Sequence, residues 1–266
     1  MKRITYIILL SFAVLFFSCE VDSGDSSYPR TLQGRVAYNV VERVLFQSVS
    51  ILDMVCKVDH YACAPDEEQE GIHNYFLAEY AISNTEDSWI LKNEYREIIL
   101  THNQKSINEK GAVWTIRFLG NSWDDEMLVM VENKNFRIES LGDKHWNVIA
   151  SDLKYYNDLF DYPYAYPTED TSSSQLTVKA TKSYEKSPNL YDYLLEEGAG
   201  NMNVSSVDIN YRIISPLSYA NVSSYYSNFS LIGGKLNITV DNDQIEAEIK
   251  PSTVNITFNG ITETYN

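Results

Sequence analysis

Cysteine and histidine are both sparse in this sequence, and each shortage excludes something. Three cysteines among 266 residues cannot build the disulfide framework of a small secreted scaffold. The four histidines, His60, His73, His102 and His145, are scattered, with no zinc-ligand spacing among them. Basic charge is short as well: 21 Lys and Arg stand against 37 Asp and Glu, a net charge of −16. No Lys/Arg cluster breaks that acidity, so the chain repels a phosphate backbone and no nucleic-acid partner is expected.

Catalytic signatures are missing too. The sequence holds no Gly-x-Ser-x-Gly elbow, no His-Glu-x-x-His, no Walker loop and no Gly-x-Gly-x-x-Gly turn. Two Ser-x-x-Lys matches, Ser151-Asp152-Leu153-Lys154 and Ser183-Tyr184-Glu185-Lys186, are what chance supplies in a serine-rich chain. They also lack the Ser-Asp-Asn and Lys-Thr-Gly partners of penicillin-interacting serine enzymes. Asp124-Asp125-Glu126 and Asp241-Asn242-Asp243 offer oxygen ligands without the spacing of a dedicated calcium loop. No catalytic residue, metal or cofactor is therefore assigned.

What is present begins at the N-terminus. Lys2 and Arg3 precede an apolar stretch from Ile4 to Phe17, the charged and hydrophobic regions of an export signal. The stretch is shorter than the roughly 20 residues a membrane helix needs. Phe16-Phe17-Ser18-Cys19 follows, and it resembles the lipobox of bacterial lipoproteins in the relaxed Bacteroidetes form. Phe16 stands where Leu is usual, and Phe17 where a small residue is usual. The resemblance covers roughly the first 25 residues. It implies cleavage after Ser18, lipid on Cys19, and an outer-membrane anchor with the body facing the periplasm or the cell surface. Glu20, Asp22 and Asp25 look like the acidic tethers that route some such lipoproteins to the surface. Without residues 1–18, which hold two basic and no acidic residues, 19 positive charges face 37 negative ones, a net −18.

The organisation expected on this basis is a signal peptide over 1–18, an acidic tether over 19–28 and a single domain over 29–266. A body of about 240 residues buries roughly 70–75% of its unfolded surface, so it needs no disulfide for stability. Val36, Val40, Val44, Ile51 and Val55, with Val41, Leu45 and Leu52 beside them, predict one long helix with an apolar stripe. Cys56 and Cys63 lie on or just past it. They form a disulfide only if the helix ends between them, because seven residues of helix separate them by about 10 Å; otherwise they are free thiols. The acidic segment 66–70 reads as a solvated loop.

Beyond Gly71 the hydrophobic period shortens to two. Val207, Ile209, Tyr211 and Ile213 alternate with polar residues, as do Ile245, Ala247 and Ile249, and Val254, Ile256 and Phe258. These are half-buried antiparallel strands. Earlier candidates near 72–82, 89–101, 112–119, 126–140 and 144–155 are apolar on both faces in places. Gly233-Gly234 and Asn242-Asp243 read as turns between the last strands, and 157–174 as a long connection. The expected fold is mainly β (α+β): one long N-terminal helix on an extended antiparallel meander or curled half-barrel of about eight to eleven strands.

Tyrosine, with 20 residues, is the compositional oddity. Tyr155, Tyr156, Phe160, Tyr162, Tyr164 and Tyr166 crowd around Pro163 and Pro167 among several carboxylates. Tyr162, Tyr164 and Tyr166 are candidate contacts to a glycan or a protein partner, since aromatic faces stack on sugars and anchor interfaces; the alternative is that they close the core. Tyr219, Tyr225 and Tyr226 invite the same two readings. The functional expectation is a lipid-anchored, non-catalytic envelope protein that binds a glycan, a small ligand or an outer-membrane partner. Two alternatives are a structural subunit of a surface complex and a hydrolase using paired carboxylates.

Overall fold

The computed structural model describes residues 31–94, 97–119, 129–130, 136–155, 171–184, 187–204, 207–221, 229–240, 243–251 and 253–265. Cys19, the leading segment and the stretch 156–170 with Tyr162, Tyr164 and Tyr166 lie outside the described residues.

The valine-rich segment is one continuous helical rod in three parts: α1 (Leu32–Tyr38), a π-helical stretch Asn39–Leu45, and α2 (Phe46–Cys63). Thr31 starts it by accepting the Gly34 N–H at 3.0 Å, which satisfies one of the unpaired donors of a first turn. Ala64 is extended, as a residue before proline must be, and Pro65 keeps the helix from continuing. A short helix α3 (Asp66–Ile72) and a π-turn His73–Leu77 follow. The loop expected over 66–70 is therefore helical. Asp66, Glu67 and Glu68 occupy its first turn, where negative charge meets the positive end of the helix dipole.

Among the described residues fourteen strands come next: β1 (Ala81–Asn84), β2 (Ser88–Lys92), β3 (Glu97–His102), β4 (Val113–Leu119), β5 (Val129–Met130), β6 (Phe136–Gly142), β7 (His145–Tyr155), β8 (Thr171–Tyr184), β9 (Ser187–Val204), β10 (Val207–Asn221), β11 (Phe229–Val240), β12 (Asp243–Lys250), β13 (Thr253–Phe258) and β14 (Ile261–Tyr265). All but β5, which pairs with β7, form one antiparallel path in chain order from β1 to β14. The sheet is open, with β1 and β14 as its edges. This is the mainly β, helix-on-meander architecture expected, with more strands than the alternation revealed. The segment 72–82 is π-turn and loop before it becomes strand. Ser172, Ser173 and Ser174 belong to β8 rather than to a connection, and Gly233 and Gly234 lie within β11 rather than in a turn.

The sheet bends around the rod. Along α2, Val55, Cys56, Lys57, Val58 and Asp59 are buried consecutively, which is more than a full turn at 3.6 residues. A helix resting on a flat sheet buries a stripe, whereas residues 55–59 are covered all round; Gln47, Ser50 and Met54, along one side of the same helix, stay partly exposed. The rod touches β12 and β13 through α1 and β9 through α2. At its end Tyr61 meets Trp89 of β2 edge to face at 5.9 Å. About 32 residues at 1.5 Å make a rod of roughly 48 Å, against about 58 Å for thirteen strands spaced ~4.8 Å apart.

Bulges supply the curvature. Register shifts interrupt β9/β10 between Arg212 and Leu217, and β10/β11 between Ile213 and Tyr219. Pro216 sits in both intervals, at the kind of irregularity where a strand tolerates proline. Gly234 opposite has φ +131°, and a Cβ there would lie 2.4 Å from Leu217 Cδ2 and 2.7 Å from the Pro216 carbonyl oxygen. Gly200 pairs with Tyr211. A Cβ on Gly200 would stand 2.5 Å from the tyrosine Cζ, so the ring covers the glycine backbone directly.

Candidate functional site

Three places concentrate unusual chemistry: a polar seam inside the rod, a loop pinned to the rod's end, and the two open edges of the sheet. The seam is built on α2. Asp53 and Lys57, one turn apart, form an ion pair of 2.7 Å with 0% and 3% of their side chains exposed. Tyr193 of β9 donates its hydroxyl to Asp53 Oδ1 at 2.9 Å. Burial pushes the Tyr193 hydroxyl far above its ordinary pKa, helped by the Asp53 charge, so the phenol keeps its proton and serves as donor. Tyr191, two residues back on the same face, is pushed up to about 12, first by burial and then by Cys56, Asp59 and Asp53. Lys144 stands 4.7 Å above its ring, a cation–π contact.

A carboxylate, an ammonium, a phenol and a thiol at one place resemble the parts of an acid–base centre. Here they are sealed under the sheet, and water does not reach Asp53. What the arrangement does is fix the rotation and register of α2 on β9, since sliding the helix would strand a buried charge.

Cys56 belongs to this seam and Cys63 does not. The helix runs through both positions, so the stop between them that a disulfide requires is absent. Both thiols are free, Cys56 buried and Cys63 exposed, and seven helical residues hold them about 10 Å apart along the axis. Burial, with Asp53 and Asp59 nearby, raises the Cys56 thiol well above its ordinary range. The thiolate is the reactive form, so a water-soluble maleimide added to the native protein should modify Cys63 and leave Cys56 untouched until denaturant is added. Peptide mass mapping reads the two sites separately.

The pinned loop connects β3 to β4. Asp59, at the end of α2, accepts the Ser106 hydroxyl at 2.7 Å and the Ile107 N–H at 3.1 Å. Trp114 donates to the Lys105 carbonyl at 3.1 Å, and Trp146 to the Ile107 carbonyl at 2.9 Å. Ile107 is fully buried, with donor and acceptor both satisfied. His102 stacks on Trp114 at 4.8 Å. Burial lifts the Asp59 carboxyl above the ordinary carboxylate range, against the lowering effect of its two donors.

At the β14 edge Thr31 donates both its hydroxyl and its backbone N–H to the Glu263 carboxylate, so the start of the rod is tied to the last strand. Ile261 on the same strand is 75% exposed. At the opposite edge β1 leaves Ala81, Ser83 and Asn84 exposed.

Of the sequence-derived sites, Cys56 and Cys63 are placed as above, while Cys19, Tyr162, Tyr164 and Tyr166 lie outside the described residues. Tyr219 is buried in the core, so of its two readings the structural one holds. Tyr225 and Tyr226 lie outside the described residues. The four histidines are spread over α2, the π-turn, β3 and β7. Among the described residues no group of three or more His, Cys, Asp or Glu could hold a metal ion, and no helix is long and apolar enough to cross a membrane. The seam has no sequence signal beyond the i, i+4 spacing of Asp53 and Lys57. No family model, no curated protein and no solved structure matches the chain.

Proposed function

We propose that the protein is a lipid-anchored component of a bacterial outer membrane whose body binds a partner through its outer surface and edges, without catalysis. The observation that carries the anchor is the sequence Ser18-Cys19 after a charged and apolar leader. Two structural facts support the binding reading. The inner face of the sheet is occupied by the chain's own rod, with Val40, Val41, Leu45, Val49, Leu52, Val55 and Val58 fully buried, so a ligand meets the outer face or an edge. The rod also starts at the β14 edge, where Thr31 is tied to Glu263.

About 12 residues separate Cys19 from Thr31, a chain that reaches at most roughly 43 Å fully extended and typically about half that. The tether therefore brings the β14 side nearest the bilayer and leaves β1, twelve strands away along the sheet, facing outward. Feeding cells an alkyne-bearing fatty acid and isolating the protein tests the anchor. The expected result is label on the wild-type chain, none on Cys19→Ala, and an N-terminal peptide beginning at a diacylated or triacylated Cys19. An unlabelled wild-type chain, or one that keeps residues 1–18, overturns it.

A further inference from the structure

The outward-facing edge has a recognisable chemistry. The Thr85 N–H donates to the Ser88 carbonyl at 2.8 Å, which makes Thr85 and Ser88 a hydrogen-bonded pair of the β1–β2 hairpin. In an antiparallel ladder such pairs alternate with non-bonded ones. Given the register Asn84↔Trp89, Ser83↔Ile90, Ile82↔Leu91 and Ala81↔Lys92, Ser83 and Ala81 spend their backbone groups on β2. Ile82 and Asn84 then turn their N–H and C=O groups away from the sheet, and no described residue pairs with them. Edges of natural sheets are commonly blocked by proline, by lysine on the strand or by a bulge. The strand Ala81-Ile82-Ser83-Asn84 carries none of these, and is limited only by its length of four residues.

Charge around this edge is one-sided. From Val58 to Leu91 the chain has no Lys or Arg and eight Asp or Glu. The one cation on the paired strand among the described residues, Lys92 opposite Ala81, lies at the far end of β1 from Asn84 and is ion-paired with Glu97 at 3.4 Å. Glu79, Glu86 and Asp87 flank β1 and are exposed, as are the acids in the first turn of α3. The end of α3 is held beside the strand, because His73 Nε2 lies 2.8 Å from the Tyr80 carbonyl. The edge therefore presents an open row of backbone donors and acceptors inside a negative field.

We propose that the outer edge of β1 is a docking site for an extended, lysine- or arginine-bearing segment of a partner protein, added to the sheet as a further strand. Backbone hydrogen bonds to Ile82 and Asn84 give such a segment its alignment. The surrounding carboxylates select its charge and speed its arrival. The inference rests on the anchored-protein reading only for the direction in which β1 faces; the docking chemistry stands on the β1 geometry itself.

The test uses the full mature chain in detergent micelles and a fluorescent, end-capped Lys-Val-Lys-Val-Lys-Val-Lys peptide, followed by fluorescence polarisation. Two control peptides accompany it: the same sequence N-methylated at every residue, which keeps the charge and loses the backbone donors of both strand sides, and its Glu-Val counterpart. Asn84→Pro removes an outward N–H without touching the bonds to β2, and its thermal transition checks that the fold is kept. The expected result is saturable binding of the Lys-Val peptide, weakened at least about tenfold when salt shortens the screening length from ~10 to ~4 Å. Binding should fall about tenfold for the methylated peptide and for Asn84→Pro, and be undetectable for the Glu-Val peptide. Equal binding of the methylated peptide, equal binding of the Glu-Val peptide, or no binding of the Lys-Val peptide each overturns the proposal. The mass of the Cys19 peptide is measured on the same sample, so failure of the anchor and failure of the docking edge are separately visible.

Discussion

Asp53→Ala should be among the most damaging single substitutions in the chain, costing about 3–5 kcal/mol of unfolding free energy. The reason lies in what it leaves behind. Lys57 is 3% exposed and its ammonium is 2.7 Å from the lost carboxylate; the Tyr193 hydroxyl loses its bond to Asp53 as well. A buried charge deprived of its ion-pair carboxylate is pushed to lose its proton, draw in water or unfold its surroundings. The double variant Asp53→Ala/Lys57→Met separates this cause from simple loss of packing. Removing both charges leaves an apolar contact of similar volume, and most of the lost stability should return. Urea denaturation of wild type, both single variants and the double variant gives the coupling energy. If the two single losses add without coupling, the pair is not a unit and the seam does not lock the helix.

Trp146→Ala should cost a similar amount, about 3–5 kcal/mol, by emptying a fully buried site. Its ring lies 6.3 Å from the Tyr193 ring and its N–H fixes the Ile107 carbonyl. Trp146→Phe keeps most of the ring and leaves that buried carbonyl without its donor, for which about 1–3 kcal/mol is expected. The loop itself reports on this variant: with its pin removed, the amides of residues 103–112 should exchange faster than in wild type while those of α2 hardly change. A Phe variant as stable as wild type would mean that the Ile107 carbonyl finds another partner.

The parts of this fold that were legible in the sequence are those where one rule holds over a whole element. Ile245, Ala247 and Ile249 are buried while Glu246 and Lys250 are exposed, as strict alternation requires. Of the long central strands, β7 and the first half of β10 were legible, whereas the full length of β8 to β11 was not, because bulges reverse the parity partway along. In β9, Tyr191, Tyr193 and Leu195 face inward and then Met202 does. In β7, Trp146, Val148 and Ala150 give way to Leu153 after Asp152. One extra residue in a strand flips every later side chain, so a period of two breaks in the middle of an unbroken strand. Gly234 was misread for a related reason: its positive φ serves a bend inside a strand, where Gly-Gly ordinarily marks a turn. The helix was found from its valines, yet its true surroundings were not. An apolar stripe implies one covered face, whereas Ser48, Asp53, Cys56, Lys57 and Asp59 are buried too. That follows from the curl of the sheet, which is set by residues more than a hundred positions away. The docking edge was invisible in a different way, because an open strand edge is a property of pairing order and leaves no mark in composition.

The central structural claim is that the rod is the core around which the sheet is wrapped, so that the inner face is not a cavity with a movable cover. Native-state hydrogen exchange on residues 51–59 of α2 tests it most directly. If the rod is the core, these amides exchange only through global unfolding, with the same free energy and denaturant dependence as the centres of β9 and β10. If α2 instead exchanges at a free energy 2 kcal/mol or more below the strands while they stay protected, a margin well beyond ordinary fraying, the helix detaches on its own. The inner face would then be a binding site, and the outer edges would lose their claim.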